Sequence, residues 1–427
     1  MRRLYRRDSL VIGFALFSMF FGAGNVIFPP YLGLQSGSQW LLGFVCYYLA
    51  DIGLALVAIF AMLRRGSAES ITQPIGRVGS TILMGVIILC IGPMLAIPRT
   101  AASTYEMALL PLFPKIGAPV FSAVFFLVIF LLCVRESAVV NIVGKVLTPV
   151  LLLGLIIMIV RGVVVPIGPV PAVPAVPAVP NVPENGIKAG YQTMDVLAAM
   201  VFGIIVLKSA ESKGHTQMQD KFSVVAGASL IAGAALLVVY LGLTYLGVTT
   251  SSLFDTATDR TTLVVSIVYL LMGRAGIVLF SIVVALACIT TAVALVSASA
   301  NFFSNLSGGR LSYPLLASLI CVFSAVASNV GLEQLVSISA PILDVVYPPT
   351  LVLILLAFFG GQIQNHWVFR LAALGALLTS LLGALNSVAG VSISLLRSLP
   401  LASLGFGWVL PATIGGCLGA LIRPKKS

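Results

Sequence analysis

Long apolar runs separated by short polar or basic clusters fill this chain almost from end to end. A helix needs about 20 apolar residues to cross a bilayer. Twelve segments have that character, at roughly 9–32, 40–63, 79–110, 117–134, 142–163, 191–209, 222–248, 275–304, 312–330, 335–359, 367–389 and 403–422. The pattern predicts an all-α membrane protein of about 12 transmembrane helices, built as one polytopic unit. The basic start, Met1 to Asp8, leads into an apolar run that continues past Pro29 and Pro30. That run is longer than the core of a secretory leader and reads as the first membrane helix.

Charge then orients the bundle. With the N-terminus in the cytoplasm, seventeen Lys and Arg fall on cytoplasmic segments and six on external ones, and Arg99 lies inside the third span. The positive-inside rule therefore places both termini in the cytoplasm of a cell with an inner membrane. The net charge of +11 does not indicate nucleic acid, because no basic stripe interleaved with aromatics is present. Residues are 59% hydrophobic and 9% charged, against about a quarter charged in soluble domains. Such a surface has to face lipid. The six cysteines all sit in apolar segments without metal spacing and read as packing residues.

From Pro171 to Pro183 a proline recurs every third residue in Pro-Ala-Val units. Three residues per turn suits a polyproline II rod, read here as a semi-rigid external spacer, with a binding role as the alternative.

The first span holds the densest set of helix breakers: Gly22-Ala23-Gly24-Asn25, then Pro29-Pro30. Non-helical backbone at this depth is tolerated only where protein or a polar cavity satisfies it. Amides freed at the start of a second half-helix suit a carboxylate. Freed carbonyls at the end of the first half suit a cation or an ammonium. A faint echo, Met19-Phe20-Phe21-Gly22 against Met200-Val201-Phe202-Gly203, places a second interruption in the sixth span. Interrupted segments of opposite orientation point to an inverted-repeat transporter.

The stretch Phe14 to Pro30 resembles the opening helix of the bacterial branched-chain amino acid:cation symporter family, also called branched-chain amino acid transport system II carriers. Ile97-Pro98-Arg99-Thr100-Ala101, Gly190 to Ala199, and Val201-Phe202-Gly203 resemble it too. The resemblance implies a LeuT-type fold: five helices, an inverted copy of five, and two more, with helices 1 and 6 discontinuous. Residues 1–165 would form the first repeat, 166–190 the external Pro-rich loop, 191–360 the second repeat, and 361–427 two extra helices and a short tail. The implied activity is import of leucine, isoleucine and valine by symport with a cation, Na+ by preference. Proton-coupled or uncoupled exchange on the same fold stands as the alternative. The Ala23 and Gly24 amides would receive the substrate carboxylate. The carbonyls of Phe20, Val201 and Phe202, with Gly203 at the second break, would receive the ammonium.

In the eighth span Ala287, Thr290 and Thr291 stand at i, i+3 and i+4, on one helix face. A carbonyl and two hydroxyls are hard ligands for an alkali cation, although threonines in membrane helices also bond their own backbone. LeuT-type sodium carriers have this pattern, and the resemblance adds the carbonyls of Ser18 and Phe21.

Charges inside a membrane are expensive and mark function or pairing. Arg99 with Asp344 or Glu106 reads as an external gate pair or a structural ion pair. Asp195 lies toward the external end of the sixth span. Asp51, in the second span, reads as a structural partner of a broken helix, with proton binding as the alternative. His215 and His366 lie in connections, so no intramembrane histidine metal site is expected. Gly144-Lys145 precedes Val146, which excludes a phosphate-binding Walker motif. No enzyme elbow is present. No organic cofactor and no obligatory protein partner is expected; the partners are a small molecule and the lipid bilayer.

Overall fold

Hydrocarbon offers no water to backbone amides and carbonyls, so each apolar run has to close its own hydrogen bonds as a helix. The computed structural model describes residues 2–134, 138–171, 179–360, 363–389, 396 and 398–422, and every regular element among them is helical. Among the described residues, seven helices are long and apolar enough to cross a membrane, or eight when one bent pair counts as a single span, and three shorter apolar helices accompany them. Leu41, Val78, Val322 and Phe359 are mostly exposed on the outside of the bundle, where lipid takes the place of a protein partner.

The first rod is broken into α1 (Arg2–Phe20) and α2 (Ala23–Ser36). Next, α3 (Trp40–Tyr48) runs through a π-helical turn, Leu49–Gly53, into α4 (Leu54–Arg65). After the short α5 (Ala68–Thr72) come α6 (Arg77–Leu89), a π turn at Cys90–Met94, and α7 (Ala96–Thr104). Then follow α8 (Ala118–Val134) and α9 (Ala138–Val164). The second broken rod is α10 (Val182–Thr193) and α11 (Asp195–Ser212), bent by 40°. The remaining helices are α12 (Met218–Val248), α13 (Arg260–Leu306), α14 (Tyr313–Ala327), α15 (Leu332–Phe359), α16 (His366–Ala389) and α17 (Val409–Leu421). Gly273 kinks α13 with a positive φ of 63°.

The second broken rod departs from the sequence reading in two ways. Residues 182–190, read as loop, are helical. Asn181 caps α10 by accepting from the Glu184 amide, and Pro183 sits in the first turn, where its missing N–H costs nothing. The break falls at Met194, not at Val201-Phe202-Gly203, which lie inside α11. Of the Pro-Ala-Val stretch, residues 172–178 lie outside the described residues.

Two bodies of helices flank the breaks. In one, α1 and α2 pack on α12, α10 packs on α3, and α11 packs on α4. Glycine permits the closest of these approaches: a Cβ at Gly33 would overlap the Thr244 carbonyl, and one at Gly247 would overlap that of Pro30. In the other body, α7, α9 and α14 pack around α13, and α8 packs on α14. Outside both, α17 lies on α16, with Gly415 and Gly419 against the Leu371 and Trp367 carbonyls.

Candidate functional site

Gly22 joins the halves of the first rod in an extended conformation (φ −108°, ψ −169°). Its amide donates to the Phe20 carbonyl at 2.8 Å. That diverts it from Ser18, four residues back, and leaves the Ser18 carbonyl free for another ligand. No side chain caps the start of α2, so its first amides face the break as an anion site would require. Pro29 and Pro30 carry no N–H, which also removes the usual partners of the Asn25 and Val26 carbonyls. The Phe20 carbonyl, expected to meet an ammonium, is already occupied by the Gly22 amide and by Asn25 Nδ2 at 2.9 Å.

A different device holds the second break. Met194 adopts φ 66°, ψ 13°, a left-handed conformation that costs a non-glycine residue about 1–2 kcal/mol. Flanking side chains fix it there. Arg99 donates to the Gln192 carbonyl at 2.7 Å and to Gln192 Oε1 at 2.9 Å. Thr193 Oγ1 lies 2.7 Å from Asp51 Oδ1 and 2.6 Å from the Gly190 carbonyl. Asp195 opens α11, where a carboxylate complements the positive helix end. Asn25 ties the two breaks together, because its Nδ2 also reaches Asp195 Oδ2 at 2.6 Å and the Tyr240 hydroxyl.

Helix α13 brings the threonine pair to the first break. A Cβ on Gly22 would stand 3.7 Å from Thr291 Oγ1. That hydroxyl is buried without a hydrogen-bond partner. Thr290 Oγ1 donates to the Ala287 carbonyl at 2.9 Å, which leaves its lone pairs available. Ser18, Thr290 and Thr291 share the wall of one cavity.

That cavity has a volume of about 1810 Å³. It runs from Arg7, Asp8 and Lys213, at the face where α1 begins, up to Ser18, Val201 and Thr291. Beyond it lies a pocket of about 50 Å³, lined by Phe20, Gly24, Asn25, Arg99, Thr193 and Asp195 among others. Ligand pockets usually span about 300–1,000 Å³, so this inner chamber is contracted. Phe202 closes it against Phe20, their rings 5.8 Å apart and edge-on. Gly203 points elsewhere, onto Met62 of α4.

The charged residues pair differently from the expectation. Arg99 meets neither Asp344 nor Glu106. It is buried, bound to Gln192, and its Nε has no partner. Glu106 instead accepts from Thr261 Oγ1 at 3.0 Å and from the Leu332 amide at 2.9 Å, joining α13 to α15. Asp344 feels Lys188 and Glu184 of α10, which pair with each other at 2.7 Å, and it forms no ion pair among the described residues. The reason is topological: the expected pairs were matched by depth along the sequence, while partnership depends on which helix faces which.

Sequence reasoning missed the residues that close the face opposite the large cavity. Arg260 forms an ion pair with Glu333, and its amide donates to Glu333 Oε1 at 2.9 Å. Its guanidinium covers the Tyr31 ring at 4.5 Å and the Phe28 ring at 5.7 Å. Tyr31 donates to the Thr256 carbonyl at 2.8 Å. The outer half of the first rod is thus clasped to the α13–α15 body. At the other face, the His215 ring 3.0 Å away holds the Asp8 carboxyl below its usual range, with Lys213 at 3.4 Å adding to the effect.

Residues 5–426 match the family model described as branched-chain amino acid transport protein. The chain is 33% identical over 426 residues to the branched-chain amino acid permease BraB of Bacillus subtilis, covering 97% of this chain and 95% of that one. It is 34% identical over 421 residues to the branched-chain amino acid permease BrnQ of Escherichia coli K12, covering 96% and 94%. In shape it is similar to Mhp1, a nucleobase-cation-symport-1 family transporter, with a TM-score of 0.66 at 12% identity, over 98% of this chain and 94% of that one. A Na+-coupled sialic acid symporter aligns with a TM-score of 0.64 at 14% identity, over 98% and 91%. These likenesses establish the LeuT-type fold. The match across nearly the whole chain places it in the branched-chain amino acid transport protein family, whose members are transporters and not enzymes.

Proposed function

We propose that this protein imports leucine, isoleucine and valine across a bacterial inner membrane, by symport with Na+ and alternating access. The observation that carries this reading is the make-up of the contracted chamber. It has a buried guanidinium, Arg99, and a buried carboxyl, Asp195, within an otherwise largely apolar wall that includes Phe20, Ile91, Phe202 and Leu295. A zwitterion with an aliphatic side chain complements all three features.

In this reading the Ala23 and Gly24 amides and Arg99 receive the carboxylate. Asp195 receives the ammonium, in place of the carbonyls of Phe20, Val201 and Phe202. Na+ binds between the Ser18 and Phe21 carbonyls and the Ala287, Thr290 and Thr291 oxygens. The unpartnered Thr291 hydroxyl beside Gly22 supports that set. Both termini lie in the cytoplasm in this reading, which the distribution of Lys and Arg supports, so the large cavity faces the cytoplasm and the Arg260–Glu333 clasp is external. Residues 1–165 and a second unit beginning at Val182 act as inverted repeats. Each ligand drives the cycle only by binding one state better than the other.

Competition against labelled leucine tests the assignment. Isoleucine and valine should compete. Isocaproate, which lacks the ammonium, and isoamylamine, which lacks the carboxylate, should not. Equal competition by isocaproate would remove Asp195 from the site.

A further inference from the structure

Asp51 and Asp195 are 0% and 5% exposed. Asp51 sits in the π turn between α3 and α4, and Asp195 opens α11. Thr193 Oγ1 bridges them, 2.7 Å from Asp51 Oδ1 and accepting from the Asp195 amide at 3.4 Å. The donors around them are few: Thr193 to Asp51 Oδ1 and Asn25 to Asp195 Oδ2. Asp51 Oδ2 is buried and no donor reaches it. The hydroxyl of Tyr47, which faces the Asp51 carboxyl, is also fully buried and makes no hydrogen bond.

Among the described residues no cation is bonded to the pair. The titratable groups facing it are Tyr47 and Tyr48 on α3, Tyr240 on α12 and Tyr347 on α15. Arg99 is engaged by Gln192. Two neighbouring carboxylates, away from water and bonded to no cation, do not both ionise. A proton carried by one carboxyl would supply the hydrogen bond that Asp51 Oδ2 lacks.

We propose that Asp51 and Asp195 form a proton-binding site that holds one proton between the two carboxyls and gives it up when the ammonium of an amino acid enters beside Asp195. The second half of this statement rests on the chamber assigned above; the first half does not. The balance is simple. The carboxyl O–H bond breaks heterolytically, the proton passes to water in the opened chamber, and the freed carboxylate accepts from the ammonium. Asn25 and Thr193 would carry the change to both helix breaks, since each bonds one of the acids and lies at one break.

Infrared spectroscopy of the reconstituted full chain near neutral pH tests the proton itself, with no substrate present. The expected result is a protonated-carboxyl stretch that shifts in heavy water, persists in Glu106→Gln/Asp344→Asn, and disappears in Asp51→Asn/Asp195→Asn. Loss of the band in Glu106→Gln/Asp344→Asn, or no such band in the wild type, overturns the proposal. The first comparison decides even where Asp51→Asn/Asp195→Asn fails to assemble. Leucine is then added at saturating Na+ in weak buffer, with binding and proton release read in the same sample. About one proton released per leucine bound supports the displacement step, and leucine bound without release overturns it. Absence of leucine binding alongside an intact infrared band would contradict the substrate reading and the displacement step while leaving the proton site supported.

Discussion

At the first break the chain gives way through small residues, with Gly22 extended and Gly24 close to the Phe28 ring. At the second break there is no glycine. Met194 is held left-handed by Arg99 on Gln192 and by Thr193 on Asp51. The first break is therefore inherent in the local backbone, and the second is imposed by side chains from neighbouring helices. Substitutions should separate the two: changes at the first should act on binding, and changes around the second should act on both binding and stability.

The largest effect is expected at Arg99, which serves the second break and lines the chamber. Arg99→Leu removes hydrogen bonds from a charged group, worth about 1.5–3 kcal/mol. That corresponds to a rise in KM for leucine of roughly 10- to 150-fold, read in uptake kinetics. An unchanged KM would confine Arg99 to holding α10. Next is Thr291→Ala, which takes one oxygen from the proposed cation set. The Na+ concentration for half-maximal uptake should rise by about tenfold, equivalent to about 1.4 kcal/mol, with the melting temperature little changed. Unaltered Na+ activation would remove Thr291 from the set.

Thr193→Val strips the hydroxyl from the second break and leaves Asp51 Oδ1 without its donor. A loss of about 1–3 kcal/mol is expected, measured as a lower midpoint of thermal unfolding in detergent. A midpoint equal to wild type would mean that the hydroxyl does not hold the break. Met194→Gly sets two terms against each other. It relieves about 1–2 kcal/mol of left-handed strain but removes a buried side chain, which costs about 2–5 kcal/mol. The unfolding midpoint should fall. A rise would show that the strain outweighs the packing.

The same contrast explains what was legible in the sequence. Glycines, asparagine and paired prolines in an uncharged run announce the first break, because local backbone preference produces it. Thr193-Met194-Asp195 reads as ordinary helix, because the forces that break it come from Asp51 and Arg99, about 140 and 95 residues earlier. The echo at Val201-Phe202-Gly203 misplaced the break for that reason. It also led to Gly203 being read as a binding residue, whereas it serves the packing of α11 on Met62. The i, i+3, i+4 spacing of Ala287, Thr290 and Thr291 was sufficient to set them together, since a helix fixes such neighbours by itself. Ion pairs were not readable in this way. Arg99 and Glu106 could be seen as buried charges, but their partners, and the Arg260–Glu333 clasp, depend on tertiary juxtaposition. Asp195 did carry a local signal, an acidic residue where the second half-helix begins.

Coupling is the centre of the account, and leucine uptake into proteoliposomes addresses it most directly. An inward Na+ gradient would be compared with an equal K+ gradient at fixed pH and membrane potential. Accumulation above equilibrium with Na+, and only equilibration with K+, is the predicted result. Equal accumulation under K+ would contradict Na+ symport through Thr290 and Thr291.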